Sequence, residues 1–303
     1  MTTTAVLEET PSIKRSRVVP PPPGIYPGVP FAVYASWAAL NQSALKHADR
    51  SLAHVAHALT VVDDEPGEAL VLGQATHTLA LEGAEAFDER FFVMPKVNRS
   101  TNIGKAAHAE AVKAAGRRQL LTEPQHELVV GMAEAIERHP RAAKLIGAKG
   151  TAETAIVWVD AETGLLCKMR MDRIIPGGIT PDVKTTRNAS RPAFRKAIAD
   201  YGYAEQQAFY ELGYESAFGK LPDFCIIAVE NEPPHGVAVY TIGEDTMRIA
   251  RKRVRLWLNQ VAHADRTNNW PSYVEAIEDI DAPEWWIKQK DPHTPDTDAE
   301  GGY

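Results

Sequence analysis

The chain has 303 residues, 44% of them apolar and 24% charged, with a formal net charge of −7. That length can bury a sizeable core without disulfides, and that composition excludes wholesale disorder. The acidic balance, taken alone, argues against a simple basic nucleic-acid binder, and two cysteines, Cys167 and Cys225, are too few for a disulfide framework or a four-cysteine metal site.

Residues 1–25 read as a tail that ends in the stiff polyproline run Pro20–Pro23. The first residues lack the apolar core of a signal peptide, and no apolar run reaches membrane-spanning length. With both cysteines in apolar runs, a cytoplasmic, reducing setting is expected. Residues 26–290 read as a single domain, mostly helical over 26–145 and sheet-bearing over 146–290. Residues 291–303, rich in Asp, Pro, Thr and Gly, read as a second tail.

In the helical half, Asn41-Gln42-Ser43 precedes Leu45, Ala48 and Leu52 at helical spacing. Glu68 to Glu82 predicts a second helix with Leu70, Gly73, His77, Ala80 and Leu81 on or near one face. Gly104 to Arg118 predicts a third. Thr122 and Gln125 make a capping-box pattern for a helix that Pro140 stops. The period then changes. Glu153–Asp160 and Leu165–Ile175 predict strands joined by a turn, and Gly177-Gly178 leads into a third strand at Ile179–Thr185, a pattern expected of an antiparallel meander. On the second strand, Cys167, Met169 and Met171 share one face and Lys168, Arg170 and Asp172 the other. A helix opening at Ser190-Pro192, another over Tyr203–Tyr214, a strand over Asp223–Glu230, a partner strand over Gly236–Ile242 and a long helix from Glu244 complete an α+β (mixed α/β) core.

The chemistry concentrates at Asp172 and at Asp182-Val183-Lys184. Residues i and i+2 of a strand face the same side, so Asp182 and Lys184 project together, and a hairpin can bring Asp172 beside them. Two close carboxylates repel unless a divalent cation sits between them, and oxygen ligands suit Mg²⁺, with Mn²⁺ as substitute. Such a cation polarises a phosphodiester, and a lysine beside it adds positive charge at the reacting phosphate. A lone D-x-K on a surface strand is more often a solvated charge pair, so the triplet needs support from elsewhere.

That support is a resemblance. Asp172 followed by Asp182-Val183-Lys184 resembles the D…(D/E)-x-K core of the PD-(D/E)XK nuclease superfamily. Tyr203-Ala204-Glu205-Gln206-Gln207-Ala208-Phe209-Tyr210 is similar to the Q-x-x-x-Y helix of its RecB-type branch, and Leu72-Gly73-Gln74-Ala75-Thr76-His77 to the helix carrying that branch's histidine. Leu40 to Lys46 and Arg50 to His54 resemble the entry motif of exonuclease VIII (RecE-type) enzymes, with Leu52 standing where that motif has proline. Asn98 to Lys105 is a looser version of the family's basic loop, and Trp270-Pro271-Ser272-Tyr273 matches its ending. The ordered set runs from about Gly24 to Trp286. With two cysteines, the cysteine-ligated iron–sulfur branch is excluded.

The resemblance implies a central mixed sheet flanked by helices and a Mg²⁺-dependent exodeoxyribonuclease. Such an enzyme digests linear double-stranded DNA 5′→3′ and leaves 3′ single strands for recombination. It implies DNA ends as substrate, a ring-like homo-oligomer with the tetramer among its forms, a single-strand annealing protein as partner, and a phage or prophage setting. It makes His77, Asp172 and Asp182 metal ligands, with Glu153 as an additional one and the Val183 carbonyl completing the shell. Lys184 orients or activates the nucleophilic water, and Gln206 and Tyr210, one helical turn apart, position the nucleic acid or a water beyond the metal's own ligands. Two alternatives stay open: a non-catalytic DNA-binding or recombination-assembly protein, and a related nuclease acting on single strands or internally.

DNA binding requires local positive charge rather than a positive total. Arg187, Arg191, Arg195 and Lys196 follow the D-x-K segment directly and are the favoured phosphate contacts. Arg248, Arg251, Lys252 and Arg255 recur at helical spacing in the last long helix, where a solvated helix face is an equally good account. Lys96, Arg99 and Lys105 form a weaker third group.

Overall fold

The computed structural model describes residues 18–60, 67–274 and 276–290. The chain divides into two compact units, one through Pro271 and one from Ser272, a boundary inside the span read from the sequence as a single domain. The expected tails fall largely outside the described residues, at 1–17 and 291–303. The chain is already structured ahead of residue 26, for Val18 bridges Trp37 and β1 (Gly24–Tyr26) pairs with a later strand.

The helical half begins with α1 (Phe31–Ser36), α2 (Gln42–Leu45), a 3₁₀ turn at Lys46–Asp49 and α3 (Leu52–Thr60). The Asn41 side chain accepts the Ala44 N–H and so caps α2. Next come α4 (Glu68–Glu82), with the bounds its apolar spacing predicts, and α5 (Ala84–Arg90), split from it at Gly83, whose φ of 89° few other residues tolerate. Strand β2 (Phe91–Met94), α6 (Asn102–Ala115) and β3 (Gln119–Thr122) follow, and β2 and β3 form a small parallel pair. Thr122 and Gln125 complete the expected capping box of α7 (Glu123–Arg138). Pro140 does more than stop that helix. It opens α8 (Pro140–Gly147), where a missing N–H costs nothing, and the His139 ring accepts the Ala142 N–H.

The sheet half holds β4 (Thr151–Val159), β5 (Leu166–Ile174), β6 (Ile179–Thr186), α9 (Arg191–Tyr201), α10 (Tyr203–Phe218), β7 (Asp223–Glu230), β8 (Val237–Tyr240) and α11 (Glu244–Thr267). Strands β1, β4 and β5 are antiparallel neighbours. The meander expectation holds for β4–β5 and fails at β6, which pairs in parallel with β7 across the α9–α10 crossover, and β7 is antiparallel to β8. Between β5 and β6 the hairpin closes with the Ile175 N–H on the Ile179 carbonyl. Further along, the Val183 N–H goes to the Asp172 carboxylate rather than to a backbone carbonyl. A side chain thus stands where a ladder rung would be, and the site occupies that gap.

The apolar residues of the two sheets bury toward different helices. Ile156, Trp158, Cys167, Met169 and Met171 pack on α10 and α11 through Ala208, Phe209, Val254, Trp257 and Leu258. Val183, Ile227 and Val229 pack on α4 and α7 through Leu72, Ala75, Val129 and Met132. This mixed α+β arrangement, sheet strands covered by helices, is the expected fold class. Both cysteines are buried and free. In the second unit, α12 (Glu284–Lys290) carries an exposed Glu284–Lys288 pair one turn apart.

Candidate active site

Three elements converge on the gap between β5 and β6. His77 comes from α4, Glu153 from β4 and Asp172 from the polar face of β5. Their nearest ligand atoms all lie within 4.8 Å of one another. His77 Nδ1 stands 3.2 Å from Asp172 Oδ2, the oxygen that also accepts the Val183 N–H at 2.8 Å. The β4–β5 register pairs Ala152 with Arg173 and Thr154 with Met171, which leaves Glu153 opposite Asp172 with no ladder bond at that position. Like charges directly opposed across two strands are unfavourable. Glu153 also has φ 49°, a left-handed conformation that costs a side-chain-bearing residue on the order of 1–2 kcal/mol. Two costs at one residue, both of which aim a carboxylate at another carboxylate, mark a functional position.

The electrostatics agree. Burial, reinforced by the Asp172 charge, raises the Glu153 pKa to about 7 although Arg170 Nη1 lies 2.7 Å away. Burial works against the charge on Asp172 too, but the His77 ring and Lys184 outweigh it and hold the carboxyl at about 2. Burial likewise opposes the imidazolium of His77, and the neighbouring Asp172 overrides it, raising the pKa to about 9. The imidazolium and the Arg170 guanidinium therefore balance two inward carboxylates. A divalent cation fits this donor set, one imidazole nitrogen and two carboxylates, as a replacement for those positive charges.

Asp182 and Lys184 share a face of β6 as the period-two reading requires, with Lys184 Nζ 2.5 Å from Asp182 Oδ2. Asp182 pairs with Lys184 and lies within electrostatic reach of Asp172 and His77 in the close cluster. Burial raises its pKa and Lys184 only partly offsets that, while the same carboxylates raise Lys184 against burial. A small cleft beside the pair is lined by Tyr203, Gln206, Gln207, Tyr210 and Phe224. Lys184 Nζ lies 5.3 Å from the centre of the Tyr203 ring. Gln206 hydrogen-bonds Tyr210, and the Tyr210 hydroxyl donates to the Arg170 carbonyl at 3.1 Å, so the helix pair is anchored to β5.

The basic groups separate into two kinds. Arg187, Arg191, Arg195 and Lys196 are exposed on and just before α9 and make no ion pair with a described carboxylate. On α11, Arg251 is bound by Glu211 and Glu244, and Arg255 by Asp160 and Glu162. Arg248 lies 3.6 Å from Asp245, and Lys252 is exposed.

Two site residues escape a reading of the sequence. Arg170 was recognisable only as a neighbour of Asp172 on one strand face. Its role depends on the turned-in Glu153, which no local pattern announces. Tyr203 had no signal beyond being an aromatic at a helix start. Lys168, on the same face, is fully buried elsewhere, donating to the carbonyls of Tyr34 and Trp37 at 2.7 and 2.8 Å.

With this geometry in hand, a family model described as "PDDEXK-like domain of unknown function (DUF3799)" matches residues 41–283. No curated protein matches the chain. Among solved structures, that of a protein described as "Putative exonuclease" from Eubacterium rectale aligns with a TM-score of 0.56 at 13% identity. It covers 84% of this chain and 94% of that one, a likeness of fold. The structure of SSO0001 aligns over 44% of this chain and 67% of that one, with a TM-score of 0.24 at 17% identity. Among the described residues, no helix is long and apolar enough to cross a membrane.

Proposed function

Since the chain belongs to the PDDEXK-like DUF3799 family, we propose that it is a Mg²⁺-dependent exodeoxyribonuclease of the RecE type. Its substrate is linear double-stranded DNA, digested 5′→3′ to leave 3′ single strands. The observation that carries this reading is the packing of His77, Glu153 and Asp172 into one cluster beside the Asp182–Lys184 pair. A divalent cation, Mg²⁺ or Mn²⁺, bound there would supply Lewis-acid polarisation of a phosphodiester oxygen.

The remaining work falls to the chain's own groups. Lys184 presents a charge, fixed by Asp182, to the scissile phosphate and its attacking water. The Val183 N–H holds Asp172 in its inward rotamer. Gln206 and Tyr210 brace the opposite wall of the cleft. The exposed bases of α9 offer phosphate contacts within an acidic total, which favours a local grip that can be released. The further expectations of the RecE type go with this reading: a cytoplasmic protein, a ring-like homo-oligomer and a single-strand annealing partner.

The test is digestion of linear duplex labelled at either the 5′ or the 3′ end, with Mg²⁺ and with EDTA. Mg²⁺-dependent release of the 5′ label first is expected, with Lys184→Ala reducing the rate by at least about 10²-fold and leaving the fold unchanged by circular dichroism. Full activity in EDTA, or in Lys184→Ala, would sink the reading. Cleavage of closed circles would replace it with an endonuclease.

A further inference from the structure

An aromatic path leads outward from the catalytic lysine. Tyr203 lies over Lys184 Nζ, and its ring is stacked on the buried Phe194 at 5.9 Å. Tyr201 lies beside Tyr203, ring centres 5.7 Å apart and planes inclined by 31°. The two rings meet because Gly202, at φ 68° and ψ 37°, ends α9 and begins α10 in one residue. This left-handed junction suits glycine, and it turns two tyrosines that would otherwise diverge onto the same side. Tyr203 is half-buried against the sheet side of α9, while Tyr201 is 65% exposed. Arg191, Arg195 and Lys196 are exposed on α9, the helix that Tyr201 ends, and give that helix positive charge.

We propose that Tyr201 is a positioning residue on which the nucleobase next to the scissile phosphate stacks. The inference rests on the nuclease reading above. To reach carboxylates recessed between two strands, the terminal nucleotide must leave its duplex partner, and its base loses a stacking neighbour. An exposed aromatic ring set beside the lysine-covering Tyr203, two residues away along the chain, replaces that neighbour. It does so without choosing among bases, because every base has a π face. The exposed Arg191, Arg195 and Lys196 of the same helix serve the phosphate backbone and leave the ring to the base.

The test uses the full chain, a 5′-phosphorylated duplex and a matched duplex with an abasic residue next to the first scissile bond. Tyr201→Ala should raise KM about tenfold on the normal duplex, equivalent to about 1.4 kcal/mol, with kcat little changed. Tyr201→Trp and Tyr201→Phe should restore it. On the abasic duplex the parent should fall to the level of Tyr201→Ala, and the variant should lose nothing more. Binding in Ca²⁺, read by fluorescence anisotropy, should show the same pattern without cleavage. An unchanged KM in Tyr201→Ala, a loss that persists on the abasic duplex, or failure of both aromatic replacements would overturn the proposal. Tyr201-dependent binding by a protein that cuts nothing would defeat the nuclease reading alone, and a parent that binds no DNA would defeat both.

Discussion

His77 and Asp172 form a close pair across the α4–β5 boundary, Nδ1 to Oδ2 at 3.2 Å, on the same carboxylate oxygen that holds the Val183 N–H. The raised His77 pKa means that this pair's contribution to stability is complete below about pH 6.5 and fades as pH rises through about 9. The lowered Asp172 pKa means that it is also complete above about 3.8 and fades as pH falls through about 2. In EDTA, the melting-temperature gap between the parent and His77→Ala should be widest near pH 5–6 and close by about pH 9.5. A cation must displace the same proton, so Mn²⁺ affinity should rise about tenfold per pH unit between pH 7 and 9. Calorimetry in buffers of different ionisation enthalpy would count the proton released. An affinity flat over that range would show that His77 is not a ligand.

Arg170 is the counter-charge of Glu153, and both are mostly buried, 15% and 7% exposed at the side chain. Removing one partner of a buried pair leaves the other charge uncompensated, at a cost on the order of 3 kcal/mol. Arg170→Ala should therefore lower the melting temperature in EDTA by several degrees. Because a divalent cation replaces the missing positive charge, saturating Mn²⁺ should raise the variant's melting temperature more than it raises the parent's. An equal Mn²⁺ shift in both proteins would place Glu153 outside the metal set.

The readings that survived contact with the structure were local ones. The α4 bounds follow from apolar spacing between glycines at 67 and 83, and the Thr122–Gln125 box follows from two side chains three residues apart. Asp182 and Lys184 share a face because strands alternate. What was illegible depended on partners distant in sequence. Strands β2 and β3 have four residues each and exist through each other. Pro140 reads equally well as a stop or a start until the following helix finds its packing. The β6 strand pairs in parallel with β7, 44 residues further along the chain, while on its β5-facing edge the Val183 N–H goes to the Asp172 side chain. Arg251 and Arg255 read as a basic stripe, but Glu211 and Asp160 lie 40 and 95 residues away along the chain.

The α10 helix, which carries Gln206 and Tyr210, approaches the sheet closely at Gly213. A Cβ there would meet Trp158 Cζ3 at 2.7 Å, Trp158 Cε3 at 2.8 Å and Met169 at 3.0 Å, all within the tightly packed core. Gly213→Ala gains helix propensity worth about 1 kcal/mol but overpacks a buried indole, which typically costs about 1–3 kcal/mol. The net expectation is a loss of stability in urea unfolding, accompanied by a higher KM as α10 is pushed away from the cleft. A stabilised variant would show that Trp158 has room to turn.

The two basic helices should respond differently to alanine. Arg191 and Arg195 on α9 are exposed and make no ion pair with a described carboxylate, so each is available to a phosphate. Arg191→Ala with Arg195→Ala should weaken DNA binding and reduce the slope of log affinity against log salt by about 2, with an unchanged melting temperature. Arg255 instead donates to both oxygens of Asp160, at 2.8 and 3.1 Å. Burial works against ionising Asp160, but Arg255 and Thr163 hold its pKa below the usual 3.8. Its stabilisation is therefore present above about pH 4 and is lost as pH falls below that value. Arg255→Ala should leave the salt slope alone, lower the melting temperature at neutral pH, and show little further difference from the parent once the pH is low enough to protonate Asp160. A reduced salt slope in Arg255→Ala would return α11 to the DNA-binding surface.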